Sequence, residues 1–469
     1  MDLKTSFYVK NTSTNGHRLV FSTRTGKLKR INDELYNRLF VSPNLDLNGV
    51  PQKVVDGLVE SKILVPQSED EQQVILQENK KSLADNSSYG MTIAVTQFCN
   101  QDCIYCGQDN SVYKVLSDNH VELLLKEVRS YLKDYSPKNV SITFYGGEPS
   151  TAIDLVVKIA TAIKQICDEN GIAFNAKMIT NGVNFTPKVI NKLFKVNIRQ
   201  YQITLDGPAK HHNCRRPLKT GEASFAKSYH TIKRLSKHKG VGITVRVNLD
   251  QNNLGSVREL LDLLISDGLQ KKVVVDLAPV HSWGSDVTRY RYKPLSLGEY
   301  ASIELDLLTQ MVLEDFSVNL LPNRRNSPCT VINSNPRNGL VIDANGNFSR
   351  CWEIPYSEIR PHQHLLNKIN SRADQKGLFE VGSLAEGVPK PNWLGQTFLQ
   401  IFEEKTIECV NCSLLPSCAG GCPVQYVQHA KPLCPVWKYN LEGRIALSYA
   451  IAHVGGVESL KNQVQATLG

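Results

Sequence analysis

The hydrophobic rhythm of the chain changes three times, and each change predicts a different kind of structure. Near the amino terminus, FYVKN and HRLVF are short β-rich runs separated by the polar turn signal TSTNG. FSTRTGKLKRI suggests a second hairpin through Thr25 and Gly26, and INDELYNRLF and VPQKVVDGLVESKIL then space apolar residues as helices do. Residues 1–85 therefore read as a small α+β unit, winged-helix-like. The polar run SEDEQQVILQENKKSLADNSS reads as a helical linker.

Between about 90 and 320 the runs MTIAVTQ, VSITFY, FNAKMIT, YQITLD, GITVRVNL and KKVVVDLA have strand character. They alternate with amphipathic stretches such as HVELLLKEVRSYLKDY, TAIDLVVKIATAIKQICDEN and LGSVRELLDLLISDG. Six β/α repeats predict an α/β fold with a parallel sheet and right-handed crossovers. Six units fall short of a closed eight-unit barrel, which favours an open, partial (β/α)6 barrel over a doubly wound sheet. In either case reactive groups belong in loops at the carboxyl ends of the strands. From 321 to 440 the periodicity fades while Cys, Gly, Pro and Asn increase, which reads as a loop-rich region stapled by metal. PVWKYNLEGRIALSYAIAHV restores helical spacing, and 441–469 is expected as a C-terminal helix.

Composition narrows this picture. A chain of 469 residues, 41% hydrophobic and 21% charged, suits two or three soluble globular domains. No apolar run approaches the ~18 residues of a membrane span. The opening MDLKTSFYVK lacks the features of a secretory signal, so the expected location is cytoplasmic, with no membrane partner. The net charge of +9 comes from scattered basic residues without an aromatic-interleaved stripe. No nucleic-acid partner is expected, and an acidic peptide or protein suits the charge better.

Twelve cysteines in a reducing compartment point to metal or redox chemistry rather than disulfides. Cys167, on an amphipathic stretch, reads as core, and the solitary Cys214 carries no assigned role. Cys99, Cys103 and Cys106 form a C-x3-C-x2-C run directly after the first barrel strand. Clustered thiolates suit iron–sulfur or zinc, but no second pair lies nearby to close a zinc tetrahedron. A cubane held by three cysteines leaves one iron open to substrate or cofactor.

With Tyr105 before its last cysteine, this run resembles that of the radical S-adenosylmethionine (radical SAM) enzymes. The resemblance implies a [4Fe-4S] cluster whose free iron chelates SAM, and an electron transfer that yields a 5′-deoxyadenosyl radical. One β/α unit later, Gly146-Gly147-Glu148-Pro149 resembles the family's GGEP strand end, where Glu148 would receive the amino group of SAM. MITNG and ITLDG resemble the third and fourth strand ends, which implies SAM contacts from Thr180, Asn181, Thr204 and Asp206. VRVN offers Arg246 and Asn248 near the fifth. HHNCRRPLKTGEASF is similar to another family segment, but Asn213 replaces an Asp and Glu222-Ala223 interrupts the glycines. His212 and Arg216 are therefore given no role.

The C-terminal cysteines Cys409, Cys412, Cys418, Cys422 and Cys434, with Cys329 and Cys351 upstream, resemble the SPASM extension of peptide-modifying radical SAM enzymes. The resemblance implies two auxiliary iron–sulfur clusters of the [4Fe-4S] type. Cys409, Cys412, Cys418 and Cys434 would hold one, and Cys329, Cys351 and Cys422 the other, whose fourth position is open or held by a non-cysteine ligand. Zinc ribbons, or clusters that merely staple the fold, are the bland alternatives.

Among such enzymes, sulfatase maturases carry an Asp after the second SPASM cysteine as the proposed base. Here Trp352 occupies that position and Glu353, the candidate catalytic base, follows. The Cys351-Trp352-Glu353 run and the N-terminal unit are more like the maturases of ribosomally synthesised peptides. The resemblance implies hydrogen abstraction from a precursor peptide bound partly through residues 1–85, giving an oxidised residue or a carbon–carbon, ether or thioether cross-link. A low-potential donor such as flavodoxin or ferredoxin would supply electrons. The alternatives are a formylglycine-generating anaerobic sulfatase maturase, an enzyme of peptide-derived cofactor biosynthesis, and a metal-stapled peptide-binding scaffold.

Overall fold

The computed structural model describes residues 2–14, 16–280, 292–325, 329, 334–356, 379–387, 402, 404 and 407–453. Its N-terminal part contains β1 (Leu3–Thr5), β2 (Val9–Thr14), β3 (His17–Ser22), β4 (Leu28–Ile31), α1 (Asp33–Phe40), α2 (Gln52–Glu60), β5 (Leu64–Pro66) and α3 (Glu71–Leu83). Strands β2, β3 and β4 form an antiparallel meander, while β1 pairs antiparallel with β5. The expected second hairpin turns at Gly26, whose φ of 70° suits a residue without a Cβ. Helix α1 begins where the Asn32 side chain accepts the Leu35 N–H.

Helix α3 is helical as expected but is no free linker. Ile75 and Leu83, two turns apart on one face, are buried in a core shared with Tyr8, Val410, Val424 and Val427. The Gln72 amide donates to the Val410 carbonyl at 2.8 Å. Val74, Ile75 and Leu76 are consecutive and Leu83 stands apart, so the run gives little periodic contrast, which hides a docked helix in the sequence. Leu19 and Phe21 of β3 likewise pack against Leu414, Leu441 and Ile445. The N-terminal unit and the cysteine-rich region thus share buried surface.

The central part alternates β6 (Ser88–Thr96), α4 (Asp118–Tyr135), β7 (Asn139–Gly146), α5 (Ile153–Glu169), β8 (Ala173–Thr180), α6 (Pro187–Lys195), β9 (Ile198–Thr204), α7 (Ala209–Arg215), α8 (Phe225–Leu235), β10 (Gly242–Leu249), α9 (Val257–Ser266), β11 (Val274–Pro279) and α10 (Leu297–Leu313). Strands β6 to β11 lie in chain order, each parallel to the next, and β6 does not pair with β11. The expected six-unit open parallel arrangement is present. On β8, Phe174, Ala176 and Met178 face the helices and are buried, so Asn175, Lys177 and Ile179 face the other way. Cys167 is fully buried in the same core.

After α10 come β12 (Leu340–Ile342), β13 (Asn347–Ser349), β14 (Glu380–Ser383), α11 (Leu415–Cys418), α12 (Pro423–His429) and α13 (Trp437–His453). Within the region expected to be loop-rich, β12 pairs parallel with β6, and β13 and β14 continue the sheet antiparallel. Strands of three or four residues are too short to establish a period. The last helix begins at Trp437, ahead of the expected boundary at 441, and the expected helical residues after 453 lie outside those described. No helix among the described residues is long and apolar enough to cross a membrane.

Candidate functional site

The carboxyl ends of β6 to β11 converge on a cavity of about 490 Å3. Its lining includes Cys99, Cys103, Cys106, Gly146, Gly147, Glu148, Thr180, Asn181, Thr204, Arg246, Asn248 and Glu353. Side chains scattered over 255 residues in the sequence are thus brought together because every parallel strand ends on the same side. Pro149 and Asp206 do not line it. Pro149 instead opens a 3-10 turn, where its missing N–H leaves no bond unmade.

The cysteine loop hangs from the end of β6 and is fastened at several points. Asp102 N–H donates to Pro217 O and Ile104 N–H to Arg215 O, both at 3.0 Å. Gly147 N–H donates to Thr96 O and Glu148 N–H to Phe98 O, both at 2.9 Å. A Cβ on Gly146 would lie 2.3 Å from Thr96 O, and one on Gly147 would lie 2.3 Å from Phe98 O. The paired glycines admit the close approach of the cysteine loop, and both line the cavity.

All three sulfurs are free of disulfide bonds. Burial pushes the Cys103 thiol up to about 12 and Cys99 higher still. The guanidinium of Arg216 opposes that rise at Cys103. Metal binding here therefore displaces thiol protons, with Arg216 favouring the thiolate.

Glu148, expected to receive the amino group of SAM, also accepts hydrogen bonds from the protein. Oε1 accepts from Thr180 Oγ1 at 2.5 Å and Ser150 N–H at 2.9 Å, and Oε2 accepts from Asn181 N–H at 2.6 Å. Burial raises its pKa while these hydrogen bonds oppose the rise. Glu148 ties the second strand end to the third. Asn181 extends this seam by donating to Asn100 Oδ1 at 2.7 Å.

Asp206, expected among the cofactor contacts, stands behind the cavity wall, fully buried. It accepts from the Tyr105 hydroxyl at 2.5 Å and from Asn248 N–H at 3.0 Å. The same hydroxyl accepts from Arg216 Nη1 at 2.5 Å and Asn248 Nδ2 at 3.0 Å, filling its hydrogen-bonding capacity. Arg215 pairs with Asp250 at 2.9 Å and lies 3.5 Å from Asp206. Arg216, assigned no role from sequence, lines the cavity. Its adjacent arginine and Pro217 are the signal that was available. Asn213 caps the turn into α8, accepting from Ser224 and Phe225 N–H groups as an Asp would. His212 is buried and its Nδ1 accepts from Asp206 N–H at 3.3 Å.

The far wall comes from the C-terminal region. Trp352 and Glu353, directly after Cys351, line the same cavity as the three cysteines, with Arg246, Asp276 and Tyr145 beside them. Arg246 is paired with Asp276 at 2.7 Å. Burial lifts Glu353 to about 7. Gln108 Nε2 donates to Tyr145 Oη at 3.3 Å and to Pro355 O at 3.4 Å, and Asp109 N–H donates to Tyr356 O at 2.7 Å. The chain just beyond Cys106 is thereby stitched to the chain just beyond Cys351.

The seven cysteines from Cys329 to Cys434 fall into two neighbourhoods. Cys409 is within electrostatic reach of Cys412, Cys418 and Cys434, and Cys351 is within reach of Cys329 and Cys422. Lys438 Nζ donates to Cys434 Sγ at 3.2 Å. Among the described residues no three His, Cys, Asp or Glu side chains converge tightly enough for a single metal ion.

Residues 93–264, which span β6 to α9 and carry the C-x3-C-x2-C loop and GGEP, match the radical SAM superfamily and form a radical SAM domain. That match indicates an enzyme, and the superfamily it names uses SAM and a [4Fe-4S] cluster. The radical SAM cyclopropyl synthase TigE of Paramaledivibacter caminithermalis is 21% identical over 204 residues, covering 40% of this chain and 41% of its own. A serine-type anaerobic sulfatase-maturating enzyme of Bacteroides thetaiotaomicron is 29% identical over 165 residues, covering 32% and 37%. The chain thus spans under half the length of either relative. Native anSMEcpe with bound AdoMet and Cp18Cys peptide superposes with a TM-score of 0.56, at 16% identity over 80% of this chain and 99% of that one. At such identity the likeness is one of fold.

The donor set suits the superfamily's cofactors, with three free thiols on one cavity wall, a buried guanidinium beside one of them, and no fourth cysteine in the loop. Cys99, Cys103 and Cys106 would hold the cluster. When bound, that group supplies the electron that cleaves SAM.

Proposed function

We propose that this protein is a radical SAM/SPASM maturase that oxidises or cross-links a residue of a genetically encoded precursor peptide. The observation that carries the reading is the shared cavity, with Trp352 and Glu353 facing the three-cysteine loop. A residue held between those walls lies within reach of both. Tyr145, Gln202, Pro279 and Val280 would enclose its side chain and limit water. Glu353 would accept the proton lost when the substrate radical is oxidised. Cys329, Cys351 and Cys422 would hold one auxiliary cluster, and Cys409, Cys412, Cys418 and Cys434 a second. Such groups supply one-electron oxidation.

That anSMEcpe binds a peptide within a similar fold, and that TigE is a cyclopropyl synthase, support a peptide substrate and bond formation at carbon. The N-terminal unit serves on this reading as the winged-helix-like recognition module for the precursor, with a flavodoxin or ferredoxin as electron donor. A second reading, formylglycine generation on a sulfatase, is favoured by the sulfatase-maturating relative and by an acidic side chain at Glu353 on the cavity wall.

Anaerobically reconstituted protein with dithionite is expected to release 5′-deoxyadenosine and methionine from SAM. Replacing Cys99, Cys103 and Cys106 by Ala should abolish that release. Co-expression with a short peptide encoded beside the gene should change the peptide's mass by loss of hydrogen. A mass change on a sulfatase Ser or Cys instead would select the second reading, and no SAM cleavage under any condition would remove both.

A further inference from the structure

We infer that Lys177 and Trp352 form a subsite for an acidic side chain of the peptide, beside the residue that is modified. This rests on the peptide reading above. Lys177 lies on the same face of β8 as Ile179, two residues and roughly 6–7 Å before it, and Ile179 lines the cavity. The Lys177 side chain is exposed and forms no ion pair or hydrogen bond among the described residues. Its ammonium lies 6.0 Å from the centre of the Trp352 ring. Trp352 is 45% exposed, the largest apolar side chain so exposed among the described residues, and it lines the cavity.

Among the described residues, the charges nearby leave Lys177 as the available cation. Arg246 is satisfied by Asp276, and Arg216 is turned into the Tyr105 and Gln101 contacts. On the neighbouring strand β9, Gln200 and Gln202 offer neutral amides beside Lys177 and Ile179, on the side opposite the buried Tyr201 and Ile203. A carboxylate entering along this face would meet an ammonium with three unused donors, and its methylene stem would lie on the indole. A basic side chain would meet like charge there, which gives discrimination as well as attraction. The ring also keeps the ammonium from wandering, so less freedom is lost on binding.

The test uses full-length, anaerobically reconstituted protein and fluorescein-labelled Gly/Ser peptides with a central Asp, Asn or Lys, read by fluorescence anisotropy. The Asp peptide is expected to bind most tightly. Lys177→Met should weaken it about ten-fold, to the level of the Asn peptide, as loss of one charge-assisted hydrogen bond would. Lys177→Glu should reverse the order of the Asp and Lys peptides, and Trp352→Ala should weaken the Asp peptide without reversing it. Equal binding of all three peptides, or an order unchanged in Lys177→Glu, overturns the inference and leaves the peptide reading standing. Absence of binding by every peptide, with 5′-deoxyadenosine release unaffected by them, overturns both.

Discussion

At the scale of single residues, the site depends on groups that hold other groups. Gly147 is the sharpest case, because any side chain there meets the backbone of the cysteine loop at 2.3 to 2.4 Å. Gly147→Ala is expected to displace that loop, at about 1–3 kcal/mol of strain. Iron bound per chain should fall while the far-ultraviolet circular dichroism of the barrel persists. His212 gives a pH-dependent prediction. Burial, with Arg216 and Arg215 nearby, holds its imidazole well below the ordinary 6.5. Below that pH the unfolded chain binds a proton that the folded one refuses, so stability is full above about 6.5 and falls as pH drops toward the folded value. The apoprotein should lose melting temperature more steeply between about pH 7 and 5 than His212→Gln, whose side chain does not titrate.

At the scale of elements, the β/α units were legible because long amphipathic helices and buried parallel strands repeat six times. The strand ends carrying Cys99, Glu148 and Asn181 were legible as motifs. The Tyr105–Asp206–Arg216 network was not, because its members are 101 and 111 residues from Tyr105 and each alone resembles an ordinary polar residue. Nor were β12 and α3, one too short and the other too polar to signal burial. The docking of α3 is testable. Ile75 is fully buried between the N-terminal unit and the cysteine-rich region. Ile75→Ala should cost about 2–5 kcal/mol and lower the denaturant midpoint. If α3 were the free linker its composition suggests, the variant would melt like the parent.

At the scale of the whole molecule, the three-cysteine loop and the C-terminal cysteines can be separated. Replacing Cys409 and Cys412 together by Ala should lower iron per chain and remove one electron paramagnetic resonance signal, while the signal lost in Cys99→Ala remains. Loss of every signal in the double variant would mean that the two regions load as one unit. The stitch between the chain after Cys106 and the chain after Cys351 bears on how that loading is timed. Strand β6 and its cysteine loop leave the ribosome with one sheet edge open, and that edge is covered only when residues 340–342 have been made. At 5–20 residues per second, the interval is on the order of 12–50 s. Throughout it the nascent chain exposes three thiols and an uncovered strand edge, before the far wall of the cavity exists.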